Sequence, residues 1–457
     1  MSKPPTVFFI SYAFPPNGGG GVQRVAKFVK FLPAHGVEVS VLTAKAVFKT
    51  TSDSTLLQDI DPATPIIRTA TIDPMFVADF VSKGLAGKPK QKVKQADAAP
   101  DSGGLAGLKQ SVMKFVFPIL LGIRDFARLP DQYVGWFPFA FVAGWRHLRK
   151  LENPVIFASI PVYTTALVGY ALSRVTGAPL ILDFRDDWID SPYNKLPTRF
   201  HRWFNKMLEG HISRHSKHLI VYGEWLENIF RERYPDVPRT AILNGFDADD
   251  FVVGPLPVHD DSTIRLAYSG SIFPYYSEFV EMLFQAVAGL PAPVRDRLEI
   301  TFAGDIQLTT FDELAEQYGI QRQIRRVGYL PHKEAMKLLL SSDAILFSIP
   351  GIDVSSYSGK VFEYLASRRP IISFVREQGA GANLLRDFGH EQWIIDYDPE
   401  RAREVLEMLP SMKEITMAYP SDLLARIDRK EQARALSVII QDVAEGRRVE
   451  QVGNDGN

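Results

Sequence analysis

Three short stretches of the chain combine residue types and spacings suited to chemistry on a phosphorylated ligand. In residues 358–373 (SGKVFEYLASRRPIIS) a polar loop hands over to a helix near Lys360: Ser358 offers a capping hydroxyl, Gly359 a bare backbone, and Val361, Phe362 and Leu365 recur at helical spacing. Free backbone N–H groups, the positive end of the helix dipole and the mobile Lys360 ammonium would then face a phosphate or diphosphate. Glu363, one turn further in, could accept hydrogen bonds from paired hydroxyls such as those of a ribose. The competing explanation is an amphipathic helix whose Lys and Glu are merely solvated.

The second stretch is FPPNGGGG, where Gly18, Gly19, Gly20 and Gly21 let backbone approach a ligand closely and leave helix N–H groups bare. A dinucleotide fingerprint fits poorly, because its last glycine would fall at Gln23 or Arg24, and the next strand ends in Leu42, Thr43 and Ala44 with no acid for a ribose. The third is PLILDFRDDWID, a buried strand ending in charge. Asp183, Arg185 and Asp186 cannot all be sequestered without partners, so they satisfy each other or meet a ligand. Arg suits phosphate and Asp suits an acceptor hydroxyl; Asp186, further past the strand end, is the favoured proton acceptor and Asp183 the alternative.

The elements that position these stretches alternate between strand and helix. TVFFISY, a helix over 22–35 stopped by Gly36, and VEVSVLT form a β-α-β unit; PVIFASI, PLILDF, HLIVYG and RTAILNG continue the pattern. Residues 252–262 have linker composition, after which IRLAYSG, LEITFAG, AILFSI and PIISFV alternate with helices beginning near Tyr276, Thr309, His332 and Ser358. The fold class is therefore α/β, with two Rossmann-like, doubly wound parallel sheets facing a cleft. The expected domains are 1–252, with a mobile insertion at 84–110, and 263–429, followed by a C-terminal helix and tail at 430–457 that could pack back on the first domain.

With 457 residues, 52 Lys plus Arg against 53 Asp plus Glu and no cysteine, the chain has no bulk attraction for nucleic acid and no thiolate chemistry; a cytoplasmic location fits. The uncharged run 154–173 parses as strand then helix rather than as a membrane span, because Pro161, Ser159, Thr164 and Thr165 break it. Residues 112–147 mix bulky apolar with basic residues. They could lie on a membrane surface at the inner face, although two helices packed on the first sheet explain them more simply. No metal site is expected. His211 and His215 lack the H-E-x-x-H pattern, and Asp247-Ala248-Asp249 reads as a surface turn.

In this order, FPPNGGGGVQR, PLILDFRDDW, ILNGFDADDF, YSGSI and VGYLPHKEAMKLLLSSDAILFS with SGKVFEYLASRRPIIS resemble the GT-B retaining glycosyltransferases of the family-four type. The PDQYVGW and DFRDDW pair further resembles a branch found in bacterial polysaccharide and glycan assembly. The resemblance implies a nucleotide-sugar donor, commonly UDP-linked, as substrate, no cofactor, and a glycan or polyprenol-linked acceptor. It implies that Glu363 binds the donor ribose, that Gly18–Gly21 approach diphosphate and acceptor, and that Gly359 and Lys360 lie beside the phosphates. Retention implies a front-face displacement in which the leaving diphosphate takes the acceptor proton. The sequence also departs from the family. Ser355 replaces the first acid of a Glu pair, Ser271 replaces an Arg, and Tyr275 or Tyr276 replaces a Lys. A non-hydrolysing sugar-nucleotide epimerase and a non-catalytic scaffold subunit are the alternatives.

Overall fold

Strand β1 (Thr6–Ile10) is buried at every position, as a strand covered on both faces must be. Helix α1 (Gly20–Phe31) packs on it through Val25, Ala26 and Val29, spaced at one helical face. The computed structural model describes residues 4–18, 20–45, 55–72, 129–191, 196–257, 262–351, 353–354, 357–447 and 449. The expected insertion at 84–110, residues 112–128, Gly19 and Ser355 lie outside them.

Six more strands complete the first sheet: β2 (Glu38–Ala44), β3 (Ile66–Thr69), β4 (Pro154–Ile160), β5 (Leu180–Phe184), β6 (His218–Val221) and β7 (Arg239–Ala241). Their spatial order is β3-β2-β1-β4-β5-β6-β7 and every pairing is parallel, with Phe8 opposite Ser40 on one side and Ile156 on the other. The chain order therefore reverses between β1 and β4, and a crevice opens beyond their carboxyl ends. Helices α2 (Phe137–Leu148), α3 (Tyr163–Thr176), α4 (Arg199–His215) and α5 (Gly223–Arg233) belong to the same half.

The second sheet follows the same rule. Strands β8 (Ile264–Ser269), β9 (Leu298–Ala303), β10 (Ile324–Gly328), β11 (Ala344–Ser348), β12 (Ile371–Phe374) and β13 (Ile394–Ile395) lie in the order β10-β9-β8-β11-β12-β13, again all parallel. Here the reversal falls between β8 and β11. Helix α6 (Ser277–Ala288) covers one face, while α7 (His332–Leu340) and α8 (Lys360–Ala366) bury Ala335, Met336, Leu339, Val361, Phe362 and Leu365 against the other. The two-sheet α/β fold matches the expectation. The edge strands β3, β10 and β13 were not legible, being short and, in β10, largely exposed and charged.

The 154–173 run divides into β4 and α3, and among the described residues no helix is long and apolar enough to cross a membrane. The described part of the aromatic region is packed: Trp136, Ala140, Gly144 and Leu148 are buried, and Gly144 lies against Leu42 and Leu172. The last helix, α9 (Arg429–Ala444), leaves the second sheet and returns to the first. Ala433, Leu436, Ile439, Ile440 and Val443 share one buried cluster with Val7, Phe9, Val25 and Val29. Leu436→Ala is expected to destabilise the first domain by about 2–5 kcal/mol, the range for a truncated core leucine, read as a lowered denaturant midpoint.

Candidate functional site

Both reversal points carry the residues singled out in the sequence. At the first, the loop after β1 (Ser11, Tyr12, Ala13), Gly18, Gly21 and Val22 at the start of α1, the turn Pro161–Val162 after β4, and Arg185 enclose a cavity of about 120 Å³. Arg185 is oriented by its Nε donating to Ile160 O at 2.8 Å and Nη2 donating to Pro161 O at 3.3 Å. Its remaining Nη1 lies so close to Gly21 that a Cβ there would come within 1.8 Å of it. Only glycine lets the guanidinium lie against the N-terminus of α1, whose first turn carries no acid. Val162 adopts φ 123°, a conformation that costs a β-branched residue about 1–3 kcal/mol and that surrounding contacts must hold in place.

The DFRDDW stretch divides its labour. Asp183 is wholly buried: Arg24 Nε donates to both of its oxygens at 3.2 Å, Arg24 Nη2 to Oδ1 at 2.8 Å, and Ser159 Oγ to Oδ2 at 2.8 Å. The expectation that Asp183 could take a proton meets this geometry, in which neither oxygen reaches solvent. Asp186 is exposed on the loop after β5, next to Arg185. Desolvation by its surroundings raises its carboxyl to about 6, Arg185 opposing and Asp353 of the second domain adding to the rise. Asp187 binds Arg233 at 3.0 Å and accepts the N–H groups of Ile189 and Asp190. Trp188 stacks on Tyr163, with ring centroids 4.5 Å apart, and donates Nε1–H to Asn205 Oδ1. Asp131 of the PDQYVGW stretch accepts the Thr164 N–H at 3.0 Å and the Thr164 hydroxyl at 2.7 Å, which caps α3 from outside.

At the second reversal point Lys360 opens α8 and reaches back to the loop after β8. A Cβ on Gly270, whose φ is 150°, would come within 1.4 Å of Lys360 Nζ. The ammonium sits 5.5 Å from the centre of the Tyr268 ring. Desolvation lowers it to about 8, Glu363 opposing. It is thus a fixed charge, whereas the sequence suggested a mobile one. The cap is corrected as well. Gly359 is the N-cap and makes no side-chain cap bond, while Ser358 takes φ 51°, which ends the loop with a turn.

Glu363 is raised by burial, with His332 opposing. His332 Nε2 lies 3.2 Å from Asp250 and 4.0 Å from Glu363, and Lys27 Nζ holds Asp250 at 3.1 Å. Burial works against the His332 charge, yet the Asp250 bond and Glu363 outweigh it and raise the imidazole. Arg429, at the head of α9 and buried, also feels Glu363; desolvation lowers its guanidinium to about 10. This chain of alternating charge links α1 of the first domain to Glu363 of the second. No spacing rule pointed to Arg24, Asp250, His332 or Arg429, which lie far apart in sequence.

Asp247 N-caps the turn Ala248–Phe251 and holds Lys27 at 2.6 Å and Lys30 at 2.7 Å. Asp59, Asp247 and Asp250 lie close enough together to bind a cation, but the Lys27 ammonium already sits among them, within 3.1 Å of each. His211 accepts or donates to Tyr170 OH at 2.7 Å, His215 bonds the His211 carbonyl, and the buried His218 is lowered by desolvation to about 4.

No protein-family model and no curated sequence matches the chain. Solved structures do match along its whole length. WaaG, a glycosyltransferase involved in lipopolysaccharide biosynthesis, aligns at 15% identity over 96% of this chain and 98% of its own, with a TM-score of 0.53. The pneumococcal O-GlcNAc transferase GtfA, solved with UDP and GlcNAc, aligns at 10% identity over 96% and 99%, TM-score 0.57. A protein described as a UDP-N-acetylglucosamine 2-epimerase from Listeria monocytogenes aligns at 13% identity over 98% and 99%, TM-score 0.55. The chain has the two-domain α/β architecture of these GT-B structures.

Gly21→Ala tests the first half of the site. The variant is expected to unfold like the parent yet bind a nucleoside diphosphate at least tenfold more weakly by calorimetry, because Arg185 must leave the helix terminus.

Proposed function

We propose that the protein transfers a sugar from a nucleotide-sugar donor to a glycan or lipid-linked acceptor, with retention at the anomeric carbon. One observation carries this reading: two anion-suited loops, Gly18 and Gly21 with Arg185 and Gly270 with Lys360 and Glu363, each lie at the reversal point of their own sheet. Glu363, oriented by His332, accepts hydrogen bonds from the ribose. Lys360 and Gly359 take the phosphates, with Lys360 supplying the positive charge that is missing at Ser271. In the displacement the bond from anomeric carbon to phosphate oxygen breaks as the acceptor oxygen attacks from the same face, and Arg185 with the α1 terminus stabilises the developing negative charge. The acceptor proton passes to the leaving phosphate oxygen or to Asp186. Asp183 holds Arg24 and positions the loop that bears Arg185 and Asp186. UDP, the nucleotide in the GtfA structure, is the donor base to try first.

The full-length match to an epimerase supports a second reading, in which the same cleft interconverts sugar nucleotides without an acceptor. Incubation with a panel of nucleotide sugars, with and without polyprenol-linked or oligosaccharide acceptors, separates the two. Nucleotide release only with acceptor is the expected result; sugar isomerisation without acceptor would replace it with the epimerase. Asp186→Asn is expected to lower turnover with nucleotide affinity kept, and Glu363→Gln to weaken nucleotide binding by about 1.5–3 kcal/mol, the range for a charged hydrogen bond.

The fixed Lys360 charge gives a pH signature. A lysine lowered to about 8 is charged below that value and neutral above it, so nucleotide affinity is expected to be level below pH 8 and to fall as pH rises through it. Calorimetry in buffers of different ionisation enthalpy should show proton uptake on binding near pH 8, and Lys360→Met should abolish it.

A further inference from the structure

Helix α4 is built asymmetrically. Its inner side buries His201, Asn205, Glu209, Ile212 and Ser213, yet its outer side presents Phe200 at 44%, Trp203 at 59% and Met207 at 48% exposure. At about 100° per residue these three fall within an arc of about 60°, a continuous apolar ridge two turns long. Arg199, Arg202 and Lys206, all exposed, occupy the adjoining arc. Glu209, the helix's one acid, lies on the inner side against Tyr234 and Arg233. Asp190 of the neighbouring loop pairs with Arg202.

Bulky aromatic and thioether side chains held in water on a helix with a basic flank match a lipid surface better than a protein interior. The rings and Met207 can enter the boundary between headgroups and acyl chains while three cations stay at the anionic headgroups. We propose that α4 docks this protein on an anionic bilayer, with Phe200, Trp203 and Met207 inserted and Arg199, Arg202 and Lys206 at the headgroups. The sequence offers 112–147 as a candidate for this role, with packing on the first sheet as the simpler reading. Its described part is packed on the first sheet, whereas α4 is the longest helix among the described residues and keeps its ridge exposed.

The docking helix is pinned to the reactive loop. Trp188 Nε1 donates to Asn205 Oδ1 at 2.9 Å, and Arg202 Nη1 donates to Ile189 O at 3.3 Å. A lipid-linked acceptor leaving the bilayer beside α4 would present its head group to the loop that bears Asp186. This last step rests on the transferase reading; the docking does not.

Vesicle sedimentation of the full chain tests it, with phosphatidylcholine alone against an equimolar mixture with phosphatidylglycerol. Binding to the anionic vesicles only, weakened by salt, is expected. The Trp203→Glu/Met207→Glu double variant should lose it, and replacing Arg199 and Lys206 by Gln should weaken it on the order of thirtyfold. All these side chains are exposed, so thermal unfolding and nucleotide affinity should not change. Trp203 should report a blue-shifted emission on vesicle addition that Trp203→Ala removes. No sedimentation, or sedimentation undiminished in the double variant, would overturn the proposal. So would a dimer of the parent that the double variant dissociates, since the ridge would then be an interface between copies. A failed transfer assay with intact vesicle binding would count against the transferase reading alone.

Discussion

The buried pair of Arg24 and Asp183 is the interaction on which the rest of the structure depends. Both side chains are wholly out of water at 2.8 Å, and Arg24 also donates to the carbonyls of Ile242 and Leu243 and to Asn244 Oδ1. One guanidinium thereby joins α1, the end of β5 and the loop after β7. Leaving either charge unpaired in such surroundings costs about 3–5 kcal/mol. The geometry of the reactive loops follows from it, because Gly21 is three residues before Arg24 and Arg185 two residues after Asp183.

A second consequence is the coupling of the two domains. The loop after β7 that Arg24 holds leads to Asp247 and Asp250, which take Lys27 and Lys30 of α1. Asp250 then meets His332, and His332 meets Glu363. Tyr222 packs on Tyr357 and Phe362, so apolar contact backs the polar chain at the same boundary. Charge in the cleft is thus arranged by elements from both halves and from the returning helix α9.

Much of the fold was legible because its central strands are buried on both faces and read as unbroken apolar runs. TVFFI, PVIFASI and AILFS declare themselves without any partner in view. The charged edge strand IRRVG does not, since an exposed face removes the very signal that marks a strand. The site was half legible. Glycines next to a helix start and charges at a strand end point to a ligand crevice by local rules, and Gly18, Gly21 and Arg185 do surround one crevice, with Asp186 exposed on the loop beside it. Lys360 was found for the right loop with the wrong freedom: its neighbour Gly270 lies 90 positions earlier, and no local rule could place the ammonium against it.

The amino-acid sequence by itself determined the two alternating sheets, the order of their elements and the glycine-rich and charged stretches at their strand ends. Periodicity, capping and turn chemistry act over a few residues and survive in a linear reading. Tertiary structure alone decided that Asp183 would be a sequestered partner of Arg24 while Asp186, three residues on, stays exposed. It also decided that Ser358 would yield the cap to Gly359, and that Phe200, Trp203 and Met207 would face outward when their spacing fits a core equally well. These outcomes depend on desolvation and on partners distant in sequence, and both exist only once the chain has closed on itself.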